Sequence, residues 1–183
     1  AEALGSSILN ENKKVHCGCI GNIGVLSFNG NKIITTGGGG AILTNNLETA
    51  KLAKHLSTTA KLDHPWEFLH DQIAWNDRLP NINAALGVSQ IEKIKNKVSL
   101  KRYLHNEYKE CFKELNQVEI LNEDINCESN YWLNTMRIAG EGAESLRNQI
   151  LTNAHKSKIF LRPSWKLLNK LTMYKNSQRG DLS

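Results

Sequence analysis

The chain has 183 residues, of which 40% are hydrophobic and 22% charged, and its formal net charge at pH 7 is +5. These fractions are typical of a soluble globular protein, and the longest apolar run is far too short to cross a bilayer, so we expect no membrane-spanning segment. A positive charge of this size is compatible with an anionic small substrate.

Two short apolar runs near the start of the chain are predicted strands. Residues 23–28 and 41–44 are rich in β-branched and apolar residues and are bounded by Gly and Asn. A glycine-rich turn at 37–40 joins them. The pair Asn45–Asn46 then offers a helix cap, and helical spacing from Leu47 to Leu56 predicts a helix of about ten residues. This order of elements indicates an α/β layer.

The middle of the chain is predicted to be a long loop followed by helices. Residues 57–80 show no strong period but contain two of the three prolines and two tryptophans, which predicts an ordered, functional loop. Apolar residues then recur every three or four positions between Asn81 and Leu115. This spacing predicts two consecutive helices or one long bent helix.

The last third of the sequence changes character. Residues 118–121 and 132–138 are predicted strands, and residues 143–155 are a predicted helix. This is an α+β pattern, which differs from the α/β layer before it, so the sequence predicts a domain boundary near residue 97. Residues 1–97 would form an α/β domain and residues 98–183 a small α+β domain.

The charge distribution and the cysteines exclude two kinds of site. The basic excess lies mainly in one stretch that a helix would spread around its solvent side, so we predict no nucleic-acid binding. The motif His16–Cys17–Gly18–Cys19 has no second ligand pair at a matching distance, so we predict no metal site. The cysteines show no pairing pattern, and reduced thiols in a cytoplasm are expected. The basic residues are Lys93, Lys95, Lys97, Lys101 and Arg102; the cysteines are Cys17, Cys19, Cys111 and Cys127.

Lys32 is the residue whose surroundings indicate chemistry most clearly. It follows a predicted strand and precedes four glycines, Gly37–Gly40, which would let a carbonyl cofactor come close to the backbone. A lysine in such a loop is more often simply solvated, judged by residue type alone. Both interpretations stay open at this point.

Several separated segments together carry a resemblance to one family: residues 1–6, 27–32 with 37–40, 76–87, 162–168 and 173–174. They are similar to the DegT/DnrJ/EryC1/StrS family of pyridoxal-phosphate sugar aminotransferases. The resemblance implies fold type I of the PLP-dependent transferases: the C-terminal part of the large α/β domain, then a truncated small α+β domain.

The resemblance implies roles for four residues in binding pyridoxal 5′-phosphate (PLP). Lys32 would be the Schiff-base lysine, which then moves a proton between cofactor and substrate. Ser27 would bond the cofactor phosphate, and Glu2 would contact the ring near its phenolic oxygen. Asn76 would reach the phosphate in a neighbouring subunit, so a homodimer with shared active sites is implied.

Four further residues are candidates for the substrate site by the same resemblance. Arg78 could assist at a phosphate, because a guanidinium pairs well with phosphate oxygens. Trp75, Arg162 and Trp165 could form walls of a sugar-nucleotide pocket.

The implied function is transfer of an amino group from an amino acid to a nucleotide-linked keto sugar. By analogy with the family, the amino acid is glutamate. The tail segment favours a 4-keto-6-deoxy sugar, used for cell-surface polysaccharide or glycan precursors in the cytoplasm. The family aspartate that protonates the pyridine nitrogen would lie just ahead of Ala1. We therefore expect the chain to be a fragment, cut at both ends, that cannot run transamination alone.

Two alternatives remain. The first is a same-fold dehydratase or regulatory protein, although some such family members replace the Schiff-base lysine with histidine. The second is a non-enzymatic phosphate or nucleotide binder that uses the glycine-rich loop. Against the second, Lys32 precedes the glycines, so the order G-x-x-x-x-G-K-[ST] does not occur.

Overall fold

The computed structural model describes residues 1–180, which contain seven strands and four α-helices. They fall into two compact units, Ala1–Arg137 and a second that begins at Ile138. The predicted boundary near residue 97 lies inside a helix of the first unit, and it stays a prediction. The strands are β1 Ser7–Asn10, β2 Lys13–His16, β3 Gly24–Ser27, β4 Gly40–Leu43, β5 Val118–Ile120, β6 Cys127–Glu128 and β7 Met136–Ile138. The helices are α1 Leu47–Ser57, α2 Asn81–Ile91, α3 Ile94–Phe112 and α4 Ala143–Lys156.

A three-stranded antiparallel sheet at the start of the chain was not predicted from the sequence. Its strand order is β2-β1-β6, and Ile8 pairs with Val15 on one side and Cys127 on the other. The β1–β2 turn places Glu11 and Asn12 at φ values of 46° and 63°. Positive φ at both central residues is the geometry of a tight hairpin turn that matches the twist of its strands.

The predicted strands around the glycine-rich turn are confirmed as an antiparallel hairpin, β3–β4. Val25 pairs with Ile42, and Leu26 pairs with Ala41. Leu26 is 7% exposed, whereas Val25 and Ile42 are 55% and 54% exposed. The hairpin therefore packs one face against the protein and leaves an apolar pair on the other face.

The segment between β3 and β4 folds into a compact loop. Phe28 N donates to Gly39 O at 2.9 Å, and Thr36 N donates to Phe28 O at 3.0 Å. Ile34 and Thr36 are 2% and 1% exposed, so this loop contributes to the core. Gly39 has a φ of +89°, which an L side chain rarely adopts.

Helix α2 holds this loop in place. The Gln90 side chain donates from Nε2 to Thr35 O at 2.9 Å, and its Oε1 accepts from Thr35 N at 3.3 Å. Asn83 donates from Nδ2 to Thr36 O. A Cβ at Gly87 would lie 2.9 Å from the Thr36 methyl, so a glycine allows the helix to approach closely.

The other predicted helices of the first unit are confirmed, with some differences at their ends. Asn46 caps α1 by accepting at Oδ1 from Thr49 N at 2.9 Å. The predicted helical stretch from Asn81 forms two consecutive helices, α2 and α3. Residues 58–80 contain only two isolated bridges, Thr58–Asn76 and Lys61–His70, as expected for a long ordered loop.

A buried histidine joins α3 to the segment that follows it. His105 is 2% exposed and stacks on Tyr131 with ring centroids 3.6 Å apart. Arg102 lies over the same Tyr131 ring, 5.3 Å from its centroid, and pairs with Glu123 through two hydrogen bonds of 2.7 and 2.5 Å. Tyr131 has a φ of 41°, and these contacts hold it there.

The last predicted strand is shorter than expected. β7 begins at Met136 rather than at residue 132, and it pairs with β5 in a two-stranded sheet. The predicted helix at 143–155 is confirmed as α4, which follows Gly142 at a φ of 75°. Within residues 1–180, none of the helices combines the length and apolar character needed to span a bilayer.

Candidate active site

Lys32 lies in the compact loop between β3 and β4, on a turn in which its N–H donates to Asn29 O at 3.0 Å. Its side chain is only 13% exposed. The Nζ atom donates to Glu2 Oε1 at 2.8 Å and lies 4.4 Å from the centroid of the Trp132 ring. A carboxylate and an aromatic face therefore surround the amine, and both attract a positive charge.

The first residues of the chain bring Glu2 to this place. Ser27 N, at the end of β3, donates to Ala1 O at 3.3 Å, so the segment that carries Glu2 lies beside the strand that leads to Lys32. The Ser27 hydroxyl accepts from Asn29 N at 3.4 Å. The structure thus brings Glu2, Ser27 and Lys32 into one region.

Trp132, which the sequence predicts at the start of a strand, is a contact of Lys32 in the structure. Its indole N–H donates to Asn31 O at 2.7 Å, next to Lys32 and 101 positions away along the chain. Nothing in the local sequence signals this contact. The indole ring covers the Lys32 amine, and its N–H links the turn that contains Lys32 to the segment that precedes β7.

An open depression lies next to this region and has a volume of about 660 Å³. Its wall includes Glu2, Ser6, Asn130 and Trp132. The residues present, a primary amine with a carboxylate, a hydroxyl and an aromatic face, have the chemistry that an aldehyde cofactor with a phosphate requires.

The loop after α1 carries three of the candidates, and all three are exposed there: Trp75, Asn76 and Arg78. The loop itself is fixed, since Trp75 N donates to Leu56 O at 3.0 Å and Thr59 N donates to Trp75 O at 2.8 Å. Within residues 1–180, no hydrogen bond or ion pair joins these three side chains to Lys32. Their roles stay predictions.

The remaining two candidates, Arg162 and Trp165, lie in the second unit. Both are exposed there, and Trp165 is 80% exposed. They follow α4, in a segment without regular structure that leads to short 3₁₀ turns at Leu168–Lys170 and Thr172–Tyr174. Their assignment to a sugar-nucleotide pocket also stays a prediction.

The motif His16–Cys17–Gly18–Cys19 forms a short 3₁₀ turn. His16 Nδ1 accepts from Gly18 N at 2.9 Å, so one ring nitrogen is used within the turn itself. Across the described part of the chain, no group of three or more His, Cys, Asp or Glu side chains gathers as a metal site would.

Comparison with known proteins places the whole chain in one group. Residues 1–182 match the model of the DegT/DnrJ/EryC1/StrS aminotransferase family. The chain is 33% identical over 175 residues to the GDP-perosamine synthase of Escherichia coli O157:H7, which covers 95% of this chain and 45% of that protein. It is 32% identical over 174 residues to EpsN of Bacillus subtilis (strain 168), named as a candidate pyridoxal phosphate-dependent aminotransferase, covering 95% of this chain and 43% of EpsN.

Solved structures agree with these sequence relatives. The chain superimposes on Helicobacter pylori PseC, an aminotransferase involved in the biosynthesis of pseudoaminic acid, with a TM-score of 0.84 and 27% identity. The match covers 96% of this chain and 46% of PseC. This likeness confirms the predicted fold class, fold type I of the PLP-dependent transferases. The chain spans less than half the length of the relatives it matches.

Proposed function

We propose, because this chain belongs to the DegT/DnrJ/EryC1/StrS aminotransferase family, that it supplies the lysine-bearing part of a PLP-dependent sugar aminotransferase site. The observation that carries this proposal is the position of Lys32. Its amine is largely shielded from solvent, and it is held between the Glu2 carboxylate at 2.8 Å and the Trp132 ring.

The residues around the lysine have distinct tasks in this proposal. Lys32 is the residue to which PLP attaches and the group that moves the proton during transfer. Glu2, whose Oε1 pairs with Lys32 Nζ at 2.8 Å, would contact the cofactor ring near its phenolic oxygen. Ser27 offers a hydroxyl to the cofactor phosphate. Bound PLP would supply the electron sink for the chemistry.

The proposed acceptor is a nucleotide-linked keto sugar, with a 4-keto-6-deoxy sugar preferred, and the proposed donor is glutamate. One relative is named GDP-perosamine synthase, and this name describes an amino sugar linked to a nucleotide. The candidate substrate residues are Arg78, Trp75, Arg162 and Trp165. The product would serve polysaccharide or glycan precursors in the cytoplasm.

The proposal includes a homodimer whose subunits share their active sites. Asn76 is the residue that would reach the cofactor phosphate of a neighbouring subunit. Its side chain is exposed on an ordered loop, fixed by the Thr58–Asn76 bridge, and is therefore available to a partner. The division at residue 97 into large-domain and small-domain parts belongs to the same proposal.

The first test is the identity of the lysine that binds PLP. The purified protein is incubated with PLP, reduced with borohydride and digested, and the modified peptide is located by mass spectrometry. We expect one predominant site, Lys32, and loss of that site in Lys32→Arg. Lys51 offers a matched control, because it also pairs with a glutamate, at 2.9 Å, but its side chain is 62% exposed. Lys51→Arg should leave the labelling unchanged.

Amino transfer itself is measured with the full-length protein, ¹⁵N-glutamate and a panel of nucleotide-linked 4-keto-6-deoxy sugars. We expect ¹⁵N in the sugar product and no product with Lys32→Arg. Labelling spread evenly over exposed lysines, or product formation that survives Lys32→Arg, would contradict the proposal.

A further inference from the structure

Asn130 is a buried residue beside the lysine to which the proposed function gives no role. It is 4% exposed, and all of its polar side-chain atoms are paired. Nδ2 donates to Glu2 O at 2.8 Å and to Leu4 O at 2.9 Å, and Oδ1 accepts from Trp132 N at 2.9 Å. Its backbone N–H donates to Ser6 Oγ at 2.9 Å.

The partners of Asn130 include the two residues that enclose the amine. Glu2 contacts Lys32 from one side through its carboxylate, and Trp132 covers it with its ring. The Asn130 side chain binds the backbone of both. A single buried amide therefore fixes the spacing between the carboxylate wall and the aromatic wall of the lysine site.

We propose that Asn130 is a positioning residue for Lys32: it holds Glu2 and Trp132 at the distance that keeps the amine shielded and oriented. The part of this inference that concerns PLP rests on the proposed function. The part that concerns the amine alone does not.

The chemistry of an amide suits this position. Two carbonyl oxygens need two N–H donors, and the Trp132 N–H needs an acceptor, and asparagine supplies both kinds of group on one short side chain. Aspartate keeps the acceptor but has no donor for Glu2 O and Leu4 O. Alanine has neither, and it leaves buried polar groups unpaired.

The Asn130 position is itself anchored from the other side. Tyr131 follows it with a φ of 41°, and this left-handed residue turns the chain so that Trp132 N points back to Asn130 Oδ1. The stack of Tyr131 on His105 connects that turn to α3. The lysine site is thereby joined to the core of the first unit.

The test uses two chemical probes of Lys32 in the purified protein. The first is acetylation by sulfo-N-hydroxysuccinimide acetate at fixed pH without cofactor, with the rate at each lysine resolved by peptide mass spectrometry and Lys51 as the exposed internal reference. The second is borohydride-fixed attachment of PLP to Lys32. The variants are Asn130→Ala, Asn130→Asp and Ser6→Ala. The control is Asn46→Ala, which removes an exposed hydrogen bond of the same residue type at the start of α1, remote from Lys32.

We expect the two readouts to move in opposite directions. In Asn130→Ala, the acetylation rate of Lys32 relative to Lys51 rises about tenfold, because Glu2 and Trp132 move apart. A tenfold change in rate corresponds to about 1.4 kcal/mol. PLP attachment at Lys32 falls by a similar factor, because the amine loses its orientation. Asn46→Ala should leave both ratios unchanged, since its cost is confined to the helix cap.

A purely structural role would give a different pattern. If Asn130 only buried Lys32, its removal would raise both acetylation and PLP attachment, and this would overturn the proposal. An unchanged acetylation ratio, or an equal change in Asn46→Ala, would also overturn it.

Two further outcomes keep the tests separate. If Asn130→Ala does not fold, as judged by far-UV circular dichroism, Asn130→Asp and Ser6→Ala carry the test, with smaller changes of about threefold and twofold in the same directions. If the wild-type protein shows no PLP preference for Lys32, the proposed function fails, and the acetylation ratio alone then supports or overturns the positioning role.

Discussion

Gln90→Ala removes the side chain that ties helix α2 to the loop carrying Lys32. Gln90 makes two hydrogen bonds to the Thr35 peptide, at 2.9 and 3.3 Å, and accepts a third from Lys97 Nζ at 2.8 Å. Each such bond contributes about 0.5–1.5 kcal/mol net, and the longer one belongs at the low end. Because alanine is the better helix former, it offsets a few tenths of a kcal/mol of this loss of stability.

The expected loss of stability is therefore about 2 kcal/mol. For a protein of this size, that corresponds to a fall in Tm of about 4–8 °C. Urea denaturation measures the loss, and amide hydrogen exchange locates it. The Thr36 N–H, which donates to Phe28 O at 3.0 Å, should exchange faster in the variant because the loop opens locally more often.

Two controls separate the loop contact from the other hydrogen bond of the amide. Lys97→Met removes only the bond to Gln90 Oε1 and should cost less than about 1 kcal/mol. Gln90→Glu keeps an acceptor for Thr35 N but loses the donor to Thr35 O, so its loss should be intermediate. A change below about 0.5 kcal/mol in Gln90→Ala, with unaltered exchange at Thr36, would refute the reasoning.

Three other predictions follow from the first unit. Hydrogen bonding to Arg102 lowers the pKa of the Glu123 carboxyl, so its stabilising contribution is complete above the unfolded-state pKa and is lost as the pH falls through the lower native pKa. Arg102→Met should therefore flatten the acid limb of stability measured against pH, and an unchanged limb would contradict this assignment. Gly87→Ala places a Cβ 2.9 Å from the Thr36 methyl and should destabilise the protein by about 1–2 kcal/mol in urea denaturation, whereas a gain in stability would show that the loop yields freely. Asn46→Ala should cost about 1 kcal/mol by loss of the α1 cap, measured in the same way, and a neutral result would mean that water replaces the cap.

The elements with strong local signals could be predicted from the sequence. Asn46 and the helical period after it define α1, and the apolar residues of β3 and β4 around the glycines define that hairpin. The β1–β2 hairpin could not be found in this way. Its turn is Glu11–Asn12, without the glycine that normally marks such turns, and its second strand begins with two lysines, Lys13 and Lys14.

The residues of the candidate site also differ in whether the sequence could predict them. Lys32 stands out because of the loop around it, and Glu2 and Ser27 were found only through the family resemblance. Trp132 and Asn130 contact the lysine region from more than 90 positions away, and no local pattern carries that information. The strand predicted from residue 132 starts later because the Trp132 N–H bonds to the Asn130 side chain instead of to a neighbouring strand.

The bond between Asn130 and Glu2 also has a consequence for the order of folding. It closes a loop of 128 residues, whereas the β1–β2 hairpin and the helices form from neighbours in the chain. Long loops close late because their entropy must be lost before the contact is made. We therefore expect the surroundings of Lys32 to be completed in one of the last folding steps. A chain emerging from the ribosome would expose a solvated Lys32 until residue 130 has docked, so the Lys32 amine gains its shielded setting only after the rest of the first unit has formed.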